Sequence, residues 1–298
     1  MTRVSTAGGA LLMSLLLALS ACDGSGTNPD PTGGQTTASP SEMADGLAAL
    51  DEATAAQLII ARYDAVHGLP PTPPDQIDVD SAGDGVVAPG STEAERVAGT
   101  LNQAIEFGVL DRGDVLVEAL EPPAANGEDG ATASLCMSQN IRATDLETGE
   151  PTGAPAPPDG WLPIEASYER IDGEWLLAMI QGTDPASACV PPSIASELSD
   201  VWGAFTDAWR AWGRQGGDVP DEVLELATER YAGILRDAGA IEPAEDEPDF
   251  AEFTATAVTR TAATSQTCLE DRAQTVEWML VDGRWLIDIV RQEEASCS

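Results

Sequence analysis

Apolar residues along this chain recur first at helical and then at alternating spacing, and that order occurs twice. In the first half, Leu47, Leu50, Leu58, Ala61 and Ala65 mark one helix. A capping box of Thr92 with Glu95 opens another, which runs through Val97, Leu101, Ala104 and Ile105 to Gly108. Strand-like stretches follow at 115–120, 131–144, 162–171 and 174–180. In the second half, Leu198, Val201, Trp202, Phe205, Ala208, Trp209 and Trp212 share a helical stripe that Gly216-Gly217 ends. A further helix is predicted from near Pro220 through Leu224, Ala227, Tyr231, Ile234 and Leu235 to Gly239, with strands after it. Helices ahead of antiparallel strands predict an α+β fold with the helices on one face of each sheet.

The repetition is sharpest at two short blocks. Tyr168 to Leu177 contains Ile171-Asp172-Gly173-Glu174-Trp175, and Trp278 to Ile287 contains Val281-Asp282-Gly283-Arg284-Trp285. Asp-Gly tolerates the positive φ of a type I′ turn, so each block predicts a tight hairpin. A cysteine follows each hairpin, Cys189 and Cys297, and another precedes each, Cys136 and Cys268. Four cysteines allow three connectivities. Equivalent positions in two copies pair within their own copy, which predicts Cys136 with Cys189 and Cys268 with Cys297.

These residues carry a resemblance. Leu135-Cys136, the run Asp145-Leu146-Glu147-Thr148-Gly149-Glu150, the two Asp-Gly-x-Trp hairpins, Cys268-Leu269-Glu270-Asp271 and the late cysteines resemble the nuclear transport factor 2-like superfamily of cone-shaped α+β proteins. The version they resemble is found on exported lipoproteins of high-GC Gram-positive bacteria. The resemblance implies two tandem cones, each with helices packed on a curved antiparallel sheet, at 42–192 and 193–298. Most such modules are scaffolds, protein-binding units or holders of an apolar ligand, and a minority are isomerases or dehydratases.

The first residues give an address. Arg3 precedes an apolar run that includes Leu11, Leu12, Leu15, Leu16, Leu17 and Leu19, and Leu19-Ser20-Ala21-Cys22 looks like a lipobox. The run ends at Asp23, short of the roughly 20 apolar residues that a spanning helix needs. The expectation is a signal peptide over 1–21, with Cys22 as the site of lipid (palmitate) attachment and the first mature residue. The stretch 22–41, rich in Gly, Ser, Thr and Pro, is then a flexible tether. The molecule would sit on the extracytoplasmic face of the cell membrane, where disulfides persist.

With 51 acids against 14 basic residues, all of them Arg, the formal charge is −37. That excludes nucleic acid as a partner and favours a monomer with a well-solvated surface. The partners expected are the membrane, through the lipid anchor, and an envelope protein or small apolar ligand. No cofactor and no metal is expected.

Candidate chemistry is sparse. Trp202, Phe205, Trp209 and Trp212 are candidate linings of a ligand pocket, although a stripe at helical spacing is more often core. His67, the one histidine, stands at a helix end beside Gly68 and is expected to cap carbonyls there. Tyr63 and Tyr231 lie on helices of the two copies, but no acid stands out as their partner. Asp78 to Gly85 resembles the front of a calcium loop, yet Ala82 and Pro89 occupy positions five and twelve, which predicts an ordinary acidic loop. The reading is a non-catalytic binding or scaffolding component of the cell envelope. The alternative is an isomerase- or dehydratase-like enzyme with an acid-base site inside one cone.

Overall fold

Asp172 and Asp282 both adopt positive φ, 53° and 51°, and Gly173 and Gly283 follow at 90° and 76°. Both Asp-Gly pairs are therefore the tight turns the sequence predicts. The computed structural model describes residues 49–153, 160–182, 189–243, 250–269 and 272–296, which belong to one compact unit spanning 47–298. Cys22 and Cys297 lie outside the described residues, as do the expected signal peptide and tether.

The fold is α+β, with two antiparallel sheets, each covered by helices. The first sheet has the order β1 (Val109–Ala119), β3 (Gly130–Asp145), β4 (Leu162–Ile171), β5 (Glu174–Gly182), and the short β2 (Ala124–Ala125) pairs with β3. Helices α1 (Glu52–His67) and α2 (Thr92–Phe107) pack on it. The second sheet runs β6 (Phe250–Val258), β7 (Ala262–Leu269), β8 (Arg272–Val281), β9 (Arg284–Ser296), under α3 (Pro192–Gln215), α4 (Asp221–Leu224) and α5 (Glu229–Ala238).

The likeness of the copies extends beyond the hairpins. Register shifts fall at Ser167/Tyr168 and at Glu277/Trp278, the same distance ahead of the two turns. Tyr168 and Trp278, at those bulges, are each 1 % exposed. An extended segment also borders each last strand. The Leu177 N–H donates to the Val86 carbonyl at 2.9 Å and its carbonyl accepts from Ala88 at 2.8 Å; Ile287 does the same with Leu226 at 3.0 Å and Thr228 at 2.9 Å. These bridges shield the outer edges of β5 and β9 locally, which limits open-ended pairing.

Three expected helix details differ. The α1 face that turns inward is centred on Ala55, Ile59, Arg62 and Val66, with Leu58 packed at its edge and Ala61 and Ala65 only partly buried. Arg62 can stand on that face because it finds an acid in the interior. The cap of α2 is Ser91, whose Oγ accepts from the Ala94 N–H at 3.2 Å, one residue ahead of the expected Thr92. The single helix expected from Pro220 to Gly239 is broken into α4 and α5, because Leu226 to Thr228 is extended against Ile287. Thr228 then caps α5, and Ile234 is left 47 % exposed.

The sheets meet on the outer face of β3. Residues 131–134 alternate between buried and more exposed, whereas Leu135 to Ser138 are buried without a break. A strand covered on both faces reads in this way. Leu135 and Met137 belong to the first core, while Cys136 and Trp161 join the core of the second module. The Cys136–Cys189 disulfide, predicted from the repeat, ties the chain leading into α3 to this face. Cys268 is also disulfide-bonded. Arg260, in the β6–β7 turn, forms an ion pair with the Asp114 carboxylate and donates to the Asp114 carbonyl at 3.0 Å. It also donates to Ser138 Oγ at 3.2 Å and to the Ser138 carbonyl at 2.9 Å. Glu118 accepts from the Ser193 N–H at 2.6 Å and from its Oγ at 2.5 Å.

Candidate functional site

The concave side of the first sheet is filled. Ala55, Ile59, Val97, Leu101, Leu110, Leu135, Tyr168 and Leu177 close on one another there, and the Tyr168 hydroxyl donates to the Ala55 carbonyl at 2.9 Å. Burial raises the pKa of that hydroxyl.

At one side of this core stands a polar cluster that sequence reasoning missed. Glu93 is 1 % exposed, and its carboxylate accepts from Arg62 Nε at 2.5 Å, from Arg96 Nη1 at 3.3 Å and from the Ile180 N–H at 3.3 Å. Arg96 also donates to the Ile180 carbonyl at 2.5 Å, so the cluster fastens α1 and α2 to β5. A buried acid of this kind needs paired, hydrogen-bonded surroundings.

His67 does not cap its own helix. Its ring Nδ1 donates to the Asp111 carbonyl on β1 at 2.7 Å, since a carbonyl can only accept. The helix-end carbonyl of Asp64 is taken instead by the Gly68 N–H. The ring stacks on Tyr63 with centroids 5.2 Å apart, and burial lowers its pKa. Gln139 Nε2 donates to the Tyr63 hydroxyl at 2.9 Å. Each of these groups is engaged in holding helix to sheet.

In the second module the aromatic stripe is a packed cluster. Trp202 stacks on Phe205 at 5.5 Å and meets Phe250, Phe253 and Trp278 at 5.8, 6.1 and 6.4 Å. Trp209 is half-buried between Phe205 and Trp212. Trp212 lines a cavity of about 290 Å³, shared with Gln215, Asp218, Pro220 and Glu222; its indole N–H is taken by the Gly217 carbonyl at 2.9 Å. Tyr231 sits in the same core, where burial pushes its pKa up to about 12.

The Asp78 loop is a local turn: its carboxylate accepts from the Ser81 N–H and Oγ at 3.3 and 2.7 Å. Among the described residues no group of three or more His, Cys, Asp or Glu side chains gathers to hold a metal.

A larger cavity, about 320 Å³, opens on the outer face of the first sheet. Register places its lining. Ser134 pairs with Glu165, which pairs with Gln181; Thr132 pairs with Ser167, which pairs with Met179. Glu121, Pro122 and Ala124, in and beside the β1–β2 connection, form its wall. Glu121 accepts from Ser134 Oγ at 3.3 Å, and Glu165, the cross-strand partner of Ser134, lines the same cavity. The stretch 121–130 carries no ligand-binding motif in the sequence. Nothing local showed that it closes over polar outward positions of β3, β4 and β5.

No family model and no curated protein matches this chain. Two solved structures show a distant likeness. An Ntf2-like protein involved in plasmid conjugation aligns at a TM-score of 0.26 and 10% identity, over 83% of this chain and 97% of that one. A cystatin-like protein from Ruminococcus gnavus ATCC 29149 aligns at 0.19 and 10%, over 68% and 73%.

Proposed function

We propose that this chain is a lipid-anchored extracytoplasmic protein that binds a ligand without catalysis, and that its ligand surface is the outer face of the first sheet. One observation carries the reading. The concave sides are occupied by the protein's own side chains, while the open, chemically varied cavity lies on the other side of β3, β4 and β5. The lipobox and Cys22 support the anchor, and the Cys136–Cys189 disulfide suits an exported protein.

Two measurements test it. Intact mass of the protein recovered from bacterial membranes is expected to begin at Cys22 with a diacylglyceryl adduct. A mature chain that keeps Met1 and carries no lipid overturns the anchor. Hydrogen exchange in the presence of a cell-envelope extract is expected to protect β4 and β5 peptides flanking the groove; protection confined to α1 and α2 overturns the ligand surface.

The enzymatic reading rests on Tyr63, His67 and Glu93 lying on the concave side. It is the weaker one, because Glu93 already meets three donors and the His67 Nδ1 proton is engaged by β1.

A further inference from the structure

We propose that Asn126 is a site of spontaneous covalent modification: it loses ammonia through a cyclic imide with Gly127, becomes aspartate and isoaspartate, and so loosens the wall of the outer-face cavity. The chemistry needs only water and does not rest on that cavity binding anything.

Asparagine reacts in this way when the amide nitrogen of the next residue reaches its side-chain carbonyl carbon. Of the four asparagines in the chain, Asn126 alone is followed by glycine. Asn28 precedes Pro29, whose nitrogen has no proton to give up. Asn102 lies inside α2, where the helix engages the N–H of Gln103, and Asn140 lies inside β3 ahead of the stiff, β-branched Ile141.

The turn between β2 and β3 offers what the reaction uses. Asn126, Gly127 and Glu128 are exposed, and Gly127 has a φ of 88°. Apart from its chain neighbours, nothing stands within 4 Å of where a Cβ on Gly127 would lie, so no other side chain shields its nitrogen from that side. Two hydrogen bonds close the turn, from the Asn126 N–H to the Gly130 carbonyl at 2.7 Å and from the Arg170 N–H to the Asp129 carbonyl at 2.8 Å, and neither uses the Gly127 N–H. Upstream, β2 is only Ala124–Ala125, both exposed, so this end of the hairpin opens at low cost.

The Gly127 nitrogen gives its proton to solvent base and bonds to Asn126 Cγ; the Cγ–Nδ2 bond breaks and ammonia leaves. Water then opens the imide. Addition at Cγ yields aspartate, whereas addition at the Asn126 backbone carbonyl yields isoaspartate, in which the chain runs on through Cβ and Cγ. That backbone is one carbon longer. The pairing of Ala124 with Thr132 and of Ala125 with Ala131, which stands Glu121, Pro122 and Ala124 beside the cavity, then loses its register.

The test is incubation of the full oxidised chain in mildly alkaline buffer, with peptide masses followed over time and isoaspartate read by isoaspartyl methyltransferase labelling. Asn126 is expected to convert about tenfold faster or more than Asn102 and Asn140. In the isolated isoaspartyl form the cross-strand nuclear Overhauser contacts between Ala124 and Thr132 should be lost. Gly127→Ala places a methyl beside the attacking nitrogen and should slow the conversion; because alanine is strained at that φ, Asn126→Gln, whose longer side chain closes the ring poorly, is the second variant and should abolish it. Equal rates at the three asparagines, or undiminished release of ammonia from this peptide in Asn126→Gln, overturns the site. Conversion that leaves the Ala124 to Thr132 contacts intact overturns the effect on the wall.

Discussion

The two modules share a strand plan and differ in what fills it. Around the first turn the bulged residue is Tyr168, packed among aliphatic side chains and fastened by its hydroxyl to α1. Around the second it is Trp278, which donates to Ser265 Oγ at 2.8 Å and packs edge-on against Trp202 and Phe253. The first module adds a buried acid with two arginines. The second adds more rings. Backbone devices, the Asp-Gly turn, the bulge and the parallel bridge, therefore specify the module, and its interior can be rewritten while they persist. The outer faces differ as well: that of the first sheet is half covered by the second module and half open.

That contrast is tested most strongly at the two bulge residues. Trp278→Ala removes the largest fully buried ring and should cost about 3 to 5 kcal/mol in urea unfolding. Tyr168→Phe loses only a hydrogen bond and should cost about 1 kcal/mol. Similar losses in the two variants would mean that the modules do not differ as described.

Next comes the ion cluster. Glu93→Gln leaves Arg62, 8 % exposed, without its counter-charge and should cost about 3 kcal/mol in the same assay. A loss no larger than that of an exposed pair would show that water reaches the cluster. Comparable in size is the disulfide: replacing Cys136 and Cys189 together by Ser should lower stability by about 2 to 4 kcal/mol. Proteolysis should then begin near 189–193, where the chain is tied to the joint.

The smallest effect is one of pH. Burial holds His67 below its ordinary pKa, so the unfolded chain takes up the proton first. The native state keeps its full stability above about pH 6.5 and loses part of it as pH falls from there toward the folded-state pKa. His67→Gln should flatten that slope. Asp145, held below the usual carboxylate range by the Thr148 N–H and hydroxyl, acts in a lower window, below about pH 4. A slope between pH 5 and 7 that survives in His67→Gln would place the titrating group elsewhere.

What was legible in the sequence was whatever local chemistry encodes. Asp172-Gly173 and Asp282-Gly283 announce their turns because few other residues accept that φ, and the aromatic spacing of α3 announces its buried face. The Cys136–Cys189 bond followed from repetition. The α1 phase was half legible: Leu58 packs on the core, but the small alanines give a weak stripe and Arg62 reads as surface. The break between α4 and α5 depends on pairing with Ile287, which no local pattern reports. Glu93, Arg260 and the groove were hidden for one reason: each is defined by partners far along the chain, and Arg260 reaches Asp114 across 146 residues.

The claim on which the contrast depends is that two unlike interiors are fastened into one body through the outer face of β3. Native-state hydrogen exchange of the oxidised protein, followed peptide by peptide through rising urea, tests it most directly. Peptides covering Leu135–Ser138 and those covering the Arg260 turn are expected to lose protection together, at one free energy and with one urea dependence. If β6 to β9 opened in a separate, earlier step while β1 to β5 stayed protected, the modules would be independent and the account would be contradicted.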